Sequence, residues 1–479
     1  MARRWQILLV TSVAAFMGFL DVTIVNIAFP NLEASFPHDS LAHLSWVINA
    51  YNIVFAATLV PAGRLADRYG RRRLFLGGVV LFLSASAVCG LAWNVDVLIA
   101  ARSVQAIGGA ILIPTSLGLI LPEFPLGQRA TATALWGATG GIAAATGPSL
   151  GGVLVQWQDW RWVFFVNLLI GVPALIPARR ILRESRDERA LFPDPVGALL
   201  LAVAVASLSL GIVEGPSWGW GSHRVIGAFV LAAALVPVFI ARSLRHRAPV
   251  FELALFKVRS FAVANTGVFI FGAGFYALLL CNVLFLTEVW HESVLRAGVS
   301  LTPGPIMAAL SAPVGGRLAD RFGQRVVAVP GGLIFAAGAL YLVLVATPHR
   351  DYATAFLPGI LLTGTGVGLS FSSYSSAAVA ELPRERFATG SAISATSRQI
   401  GAVVGIAILI AILGTPGAKN AMHAFDHAWI CMVVTGACAG LLGLALGRVR
   451  ARHVELREEI GESEAELVGA PLPAAVGDA

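Results

Sequence analysis

The sequence predicts an all-α polytopic membrane protein with fourteen transmembrane helices, arranged as two six-helix bundles with two further helices inserted between them. Three observations lead there. The 479-residue chain is 57% hydrophobic and only 13% charged, with a mean hydropathy of +0.78, against roughly 45 to 50% apolar and 25% charged in soluble domains. Apolar stretches of about 20 residues, the length that crosses a bilayer, recur along almost the whole chain. One charged pattern also occurs twice, as Gly63-Arg64-Leu65-Ala66-Asp67-Arg68-Tyr69-Gly70-Arg71 and as Gly316-Arg317-Leu318-Ala319-Asp320-Arg321-Phe322-Gly323-Gln324, each time between two long apolar runs. The offset, Gly63 to Gly316, is 253 residues, and a repeat of that kind marks two copies of one structural unit.

The first apolar run begins near Trp5. Met1-Ala2-Arg3-Arg4 before it gives the look of a secretory leader, but no convincing cleavage site follows and the polar Asp21 and Asn26 continue one helical face, so it reads as a retained span. The second starts near Ala42 and ends in the charged pattern, which turns the chain into the third near Leu74. The fourth, near Val97, holds Arg102 and Gln105. The fifth, near Ala130, is opened by Arg129-Ala130-Thr131, and the sixth begins near Trp160. After a polar linker from Arg179 to Arg189, two strongly apolar spans start near Pro195 and Val225 and read as an insertion. The second unit follows with spans near Phe261, Leu295, Val326, Ala353, Ala388 and Ala428. Arg386-Phe387-Ala388-Thr389 opens its fifth member just as Arg129-Ala130-Thr131 does in the first unit. The expected organisation is a first bundle over 1–185, linker and inserted pair over 186–255, a second bundle over 256–450, and a polar, acidic tail over 451–479, expected to be a disordered cytoplasmic segment.

Most of the 34 Lys and Arg residues fall on the side of the membrane that holds the amino terminus: Arg3, Arg4, Arg64 to Arg73, Arg129, Arg179 to Arg189, Arg242 to Arg259, Arg317 to Arg325, Arg384, Arg386 and the tail arginines. Arg161, Arg224, Arg296, Arg350 and Lys419 lie opposite, and Arg102 and Arg398 fall within spans. This bias places both termini in the cytoplasm. The expected location is the cytoplasmic (inner) membrane, since nothing resembles an outer-membrane barrel.

The net charge of +7 does not signal nucleic acid, because the basic residues are dispersed beside apolar spans rather than gathered on one face. Cys89, Cys281, Cys431 and Cys438 lack C-x-x-C or metal-ligand spacing, so no metal or other cofactor is expected. There is no Walker loop or H-E-x-x-H, which argues against an enzyme and against ATP drive. Parallel repeats with a substrate site at their interface are instead a transporter plan.

Several motifs give the chain a family resemblance over about residues 5 to 450. Leu20-Asp21-Val22-Thr23-Ile24-Val25-Asn26-Ile27-Ala28-Phe29-Pro30 fits L-D-x-T-x-V-N-x-A-x-P. Leu98, Arg102, Gln105, Gly108, Gly109 and Ala110 fit L-x-x-x-R-x-x-Q-G-x-G-x-A, with Ala106 where glycine is expected. Gly147-Pro148-Ser149-Leu150-Gly151-Gly152 fits G-P-x-x-G-G, and Trp160-Arg161-Trp162-Val163-Phe164-Phe165-Val166-Asn167 follows it. With the two charged loops, the second carrying Gln324 where a basic residue is commoner, the chain resembles the major facilitator superfamily, specifically its fourteen-span drug:proton antiporter family. The resemblance implies proton-coupled efflux of hydrophobic or amphipathic compounds such as drugs or antibiotics by alternating access. Its partners would be a small amphipathic substrate, protons and the lipid bilayer, with the use of an adaptor protein left open. An exporter of a dedicated lipid, siderophore or secondary metabolite is an alternative; a non-transporting receptor or scaffold is one of another class.

The residues carry physical arguments of their own. An ionised carboxylate inside a bilayer costs about 2.5 to 3.5 kcal/mol even on the lenient insertion scale unless it is hydrated or paired, so Asp21, deep within the first span, needs a reason to exist. A carboxyl that alternates between dry and wet exposure can load and release a proton, which makes Asp21 the candidate for proton coupling; a permanently paired, inter-helix hydrogen-bonding Asp is the competing reading. Arg102 stays charged at any relevant pH, so it either tunes Asp21 and orients polar groups with Gln105, or makes a fixed bond to backbone carbonyls. Gly63 and Gly70 allow tight turns, and Asp67 suits a helix N-terminus or a basic partner. The resemblance implies a conformational latch here, with Asp67 and Arg71 as members and Asp320 in the second copy. Gly147, Pro148, Gly151 and Gly152, with Gly137, Gly140 and Gly141, make the fifth span small-faced and bent, as a gating helix requires. Candidate cavity residues are Asn26, Asn49, Asn52, Gln105, Tyr276, Tyr374 and Arg398, with Trp46, Trp136, Phe275, Asn282 and Phe371; aromatic and amide surfaces suit bulky amphipathic molecules.

Overall fold

A computed structural model describes residues 3–186, 191–382, 386–414 and 421–446; the tail expected over 451–479 lies outside them. Among the described residues, fourteen helical segments are long and apolar enough to cross a membrane. Their starts fall within about a turn of the expected positions, except the last: α15 (Ala421–Leu442) begins well before Ala428. His423, Asp426 and His427 dilute the apolar signal of its opening turns without breaking the helix.

The first bundle comprises α1 (Arg3–Ser35), α2 (Leu41–Tyr69), α3 (Arg71–Gly90), α4 (Val95–Ile120), α5 (Leu126–Trp157) and α6 (Trp162–Ile181). The inserted pair is α7 (Pro195–Trp218) and α8 (His223–Arg245). The second bundle holds α9 (Arg259–Leu284), α10 (Val294–Leu301), α11 (Pro303–Phe322), α12 (Arg325–Val345), α13 (Leu357–Ala380), α14 (Phe387–Leu413) and α15. Here α10 and α11 together make one span, broken at Thr302 where Pro303 withholds a backbone donor. Local chemistry sets several starts: Ser40, Asn94, Asp194, Ser222 and Ser293 each accept a backbone N–H of the first turn of α2, α4, α7, α8 and α10.

Both bundles are wired alike. α1 packs on α5 and α6, α2 on α4, and α3 on α4 and α6; correspondingly α9 packs on α14 and α15, α11 on α13, and α12 on α13 and α15. The bundles meet where α2 lies against α14 and where α5 lies against α10 and α11. At the latter contact backbone meets backbone: a Cβ on Gly152 would come 2.9 Å from Leu295 Cα. α7 leans on both α2 and α14, while α8 rests mainly on α7. The insertion therefore covers the α2–α14 seam, with Leu201 and Val205 of α7 sharing an apolar cluster with Ile53 of α2 and Val403 of α14.

Asp194 pins this pair together. Its side chain is fully buried beside Arg242 of α8, whose Nη2 stands 2.7 Å from Oδ1, and the same oxygen accepts the Gly197 N–H at 2.9 Å. Burial alone would push this carboxyl up, but the Arg242 and Gly197 donors outweigh it and hold it below the usual carboxylate range. A depressed carboxyl stabilises the fold above its ordinary value near pH 4 and loses that contribution as pH falls through the folded-state value. Asp194→Ala should therefore lower unfolding stability in detergent by about 1 to 3 kcal/mol at neutral pH, with the gap from wild type narrowing only below about pH 4. Melting curves across that range check both the size and the sign.

Candidate functional site

Asp21 sits halfway along α1 with no exposed surface, and Arg102 of α4 is 1% exposed. Arg102 Nη1 lies 2.5 Å from Asp21 Oδ2 and also donates to Gln105 Oε1 at 2.6 Å. The other carboxylate oxygen accepts from Gln105 Nε2 at 3.0 Å and from Asn167 Nδ2 of α6 at 3.2 Å. Behind them, Ser86 Oγ of α3 accepts from Gln105 Nε2 at 2.5 Å and from Asn167 Nδ2 at 3.2 Å. On its far side Arg102 donates from Nε to the Val47 carbonyl at 3.3 Å, and its guanidinium carbon stands 4.0 Å from the centre of the Tyr51 ring.

Five of the six helices of the first bundle thus converge on one buried ion pair. Position does part of the work: Arg102 and Gln105 are three residues apart, hence on one face of α4. Chemically, the site holds a group that can take a proton, a group that cannot lose one, and amides and a hydroxyl able to satisfy either state. Ser86, Asn167 and Tyr51 were not singled out from the sequence. Asn167 is a lone amide in an otherwise apolar span, which was a usable signal; Ser86 and Tyr51 carry no pattern that separates them from ordinary helix residues.

The first charged loop folds back onto its own bundle. Arg71 binds Asp67 Oδ1 through Nε at 2.8 Å and the Gly118 carbonyl of α4 through Nη1 at 3.1 Å. Gly70, at φ 113°, has a conformation open to glycine, and a Cβ there would strike the Glu184 carboxylate at 2.6 Å. Glu184, from the chain after α6, accepts the N–H groups of Arg72 at 3.0 Å and Arg73 at 3.1 Å, capping α3. Gly63 faces Pro114 of α4. Gly323 repeats the left-handed turn in the second copy at φ 92°, and the Asp320 side chain lies outside the described residues.

On α5, Gly147 abuts Thr23 and Ile24 of α1, and Gly151 abuts Ile24 and Ile27, so Pro148, which withholds a backbone donor, lies on a stretch pressed against the helix that carries Asp21. Gly298 of α10 closes on the Pro148 carbonyl from the other bundle.

The proposed cavity residues separate into groups. Asn52 accepts a hydrogen bond from Gln399 of α14 at 3.4 Å, and Thr396 donates to the Ala56 carbonyl at 3.3 Å, so α2 and α14 share polar contacts across the bundle seam. Asn49 is fully buried with both amide atoms unpartnered, and Asn26 donates to the Val22 carbonyl at 2.8 Å while its Oδ1 is unpartnered. Arg398 stands 5.7 Å over the Phe371 ring, with its Nε buried and unpartnered. Phe371 also meets Phe275, which meets Tyr276 in turn. Gln105 belongs to the ion-pair cluster, and Tyr374 is fully buried in the second bundle, donating to the Ala439 carbonyl. Trp136 is likewise in packing, bound to Ser116 of α4 at 3.0 Å.

Two bundles wired alike, a polar core in one and buried amides along the seam between them define a polytopic membrane transporter. Residues 11–406 match the family model described as Major Facilitator Superfamily, and the chain belongs to that superfamily, whose members are transporters and not enzymes. It is 33% identical to the multidrug resistance protein Stp of Mycobacterium tuberculosis over 96% of this chain and 87% of that one. It is 32% identical to the tetracenomycin C resistance and export protein of Streptomyces glaucescens over 85% and 75%. The methylenomycin A resistance protein of Bacillus subtilis is also 32% identical, over 84% and 86%. In fold, the chain resembles a bacterial homologue of the lysosomal transporter Spinster (TM-score 0.63, 18% identity, 94% of this chain and 99% of that one). It also resembles a peptide transporter, POT, crystallised with sulfate (TM-score 0.64, 15% identity, 94% and 95%).

Tyr51 offers a direct check of the site's energetics. Its hydroxyl is buried without a partner, so Tyr51→Phe should be neutral or slightly stabilising. Tyr51→Leu removes the π face under Arg102 and should lower stability by about 2 kcal/mol. Thermal unfolding of the two variants in one detergent separates ring from hydroxyl.

Proposed function

We propose that this protein exports hydrophobic or amphipathic compounds, antibiotics among them, across the cytoplasmic membrane in exchange for protons. The observation that carries the reading is the Asp21–Arg102 pair, a charge cluster with 0% and 1% exposure in the interior of the first bundle. An ion pair so placed is weakly stabilising at best, because desolvation offsets the attraction, so its use lies in being switchable. Protonating Asp21 leaves Arg102 charged and weakens one contact while its bonds to Gln105 and Val47 and its place over Tyr51 persist. α1 is then freer to shift against α5, its partner along Gly147 and Gly151, and α5 meets the second bundle at Gly152 and Gly298.

The relatives named for resistance to tetracenomycin C and methylenomycin A support antibiotics as the substrate class. Buried amides and aromatic rings at the seam suit such molecules by stacking and a few hydrogen bonds. The positive-inside distribution supports cytoplasmic termini. Bundles spanning residues 1–185 and 256–450 would rock about the seam, with 186–255 as a cover and the Asp67–Arg71 loop releasing and remaking contacts as the arginine-rich side opens and closes.

The test is uptake of amphipathic dyes and antibiotics into energised inverted vesicles. Asp21→Asn, inserted at wild-type levels, should lose gradient-driven uptake by about tenfold or more, equivalent to at least ~1.4 kcal/mol, and an uncoupler should abolish wild-type uptake. Undiminished uptake in Asp21→Asn would remove Asp21 from coupling.

A further inference from the structure

Away from the ion pair and the seam, the outer surface of the first bundle carries a groove of about 540 Å³ between α3 and α6, open to the side and lined by Leu76, Gly77, Val80, Leu81, Ser84 and Arg179. It runs from Leu76 to Ser84, about 12 Å along α3 at 1.5 Å per residue. Gly77 leaves it open: no atom lies within 4 Å of where its Cβ would be. Its lining is mostly apolar and comes from α3 apart from Arg179 at the end of α6, and it faces the surroundings of the bundle, so in a bilayer it faces acyl chains.

One end of the groove is strongly basic. Arg72 and Arg73 occupy the first turn of α3 and Arg179 and Arg180 the last turn of α6, the depth at which a span meets phospholipid headgroups. Arg72 reaches across, donating from Nη2 to the Arg179 carbonyl at 2.7 Å, and its Nε is buried without a partner. The Arg73 side chain is 78% exposed, and its guanidinium makes only a long ion pair with the Glu184 carboxylate, at 4.0 Å. That carboxylate is already engaged by the N–H groups of Arg72, Arg73 and Ser185. The guanidinium groups of Arg179 and Arg180 form no ion pair among the described residues. Among the described residues, positive charge therefore exceeds its local compensation where this apolar surface opens.

We infer that the α3–α6 groove is a binding site for an anionic phospholipid, one acyl chain lying along Leu76, Gly77, Val80 and Leu81 and the headgroup phosphate held by Arg73 and Arg179. Guanidinium groups match phosphate oxygens in pairs, and juxtamembrane arginines favour anionic headgroups over zwitterionic ones by roughly fivefold each. The site is independent of which compound is transported and of what drives transport, so neither result below bears on Asp21.

The experiment is native mass spectrometry of the full chain after exchange into micelles holding equal phosphatidylglycerol and phosphatidylcholine. Wild type should retain phosphatidylglycerol preferentially, by fivefold or more. Arg73→Gln with Arg179→Gln should bring the two lipids to near parity. Gly77→Leu, which fills open space, should reduce retention of phosphatidylglycerol, and Ser84→Leu provides a second filling variant should the first fold poorly. Equal retention of both lipids by wild type, meaning ordinary annular lipid only, overturns the inference. So does an unchanged preference in the double arginine variant. Loss with the arginine variants but none with either filling variant overturns the acyl groove.

Discussion

Everything in the first bundle answers to one constraint, that Asp21 and Arg102 are charged groups removed from water. Isolated, either ion would cost several kcal/mol in such a place. The bundle meets that demand by bringing α2, α3, α4 and α6 around α1, each supplying one or two contacts: Val47 and Tyr51, Ser86, Arg102 and Gln105, Asn167. Apolar side chains of similar volume would hold the helices together equally well. What they would lack is a buried charged centre, the feature on which the proposed proton coupling rests.

The two bundles repeat one wiring scheme without repeating its electrostatics. Helices pair in the same order in both halves, and Gly70 and Gly323 adopt the same left-handed turn. Yet the cation within a span of the second half, Arg398, is only partly buried and, among the described residues, faces the Phe371 ring rather than a carboxylate. Nearby polar contacts there are neutral, Ser394 and Ser397 donating to Asn265 at 2.9 and 3.4 Å. A duplicated scaffold thus carries a buried ion pair in one half and aromatic, neutral contacts in the other, a difference that the proposed proton coupling assigns to the first half.

Hydropathy made the spans legible because a membrane helix must satisfy its backbone within itself and show about 20 apolar residues to lipid. The same signal misplaced the start of α15, where His423, Asp426 and His427 precede the apolar stretch, and it could not show the break at Thr302 inside a single span. Asp21 and Arg102 stood out because charge is rare in such segments. Of their partners Gln105 stood out with Arg102 and Asn167 carried a usable signal as a lone amide in an apolar span, whereas serine and tyrosine occur in spans for many reasons and only three-dimensional convergence distinguishes Ser86 or Tyr51. Glu184 is the plainest case: a carboxylate in a polar linker caps α3 from 112 residues away, and no local pattern encodes that return.

α2 is where the charged centre and the bundle seam come together. On one side it offers Arg102 the Val47 carbonyl and the Tyr51 ring; on the other, within two turns, Asn52 and Ala56 meet Gln399 and Thr396 of α14. It is also the span with the largest buried share, 83% over its most apolar window, because α7 covers the flank that lipid would otherwise occupy. A helix so enclosed cannot bend aside to absorb a displacement of Arg102. On the proposed coupling, a change at the ion pair would be expressed in how α2 sits on α14, where the hydrogen bonds, at 3.3 and 3.4 Å, are long. The inserted helices complete this enclosure, since α7 packs on both α2 and α14 and covers the seam between them.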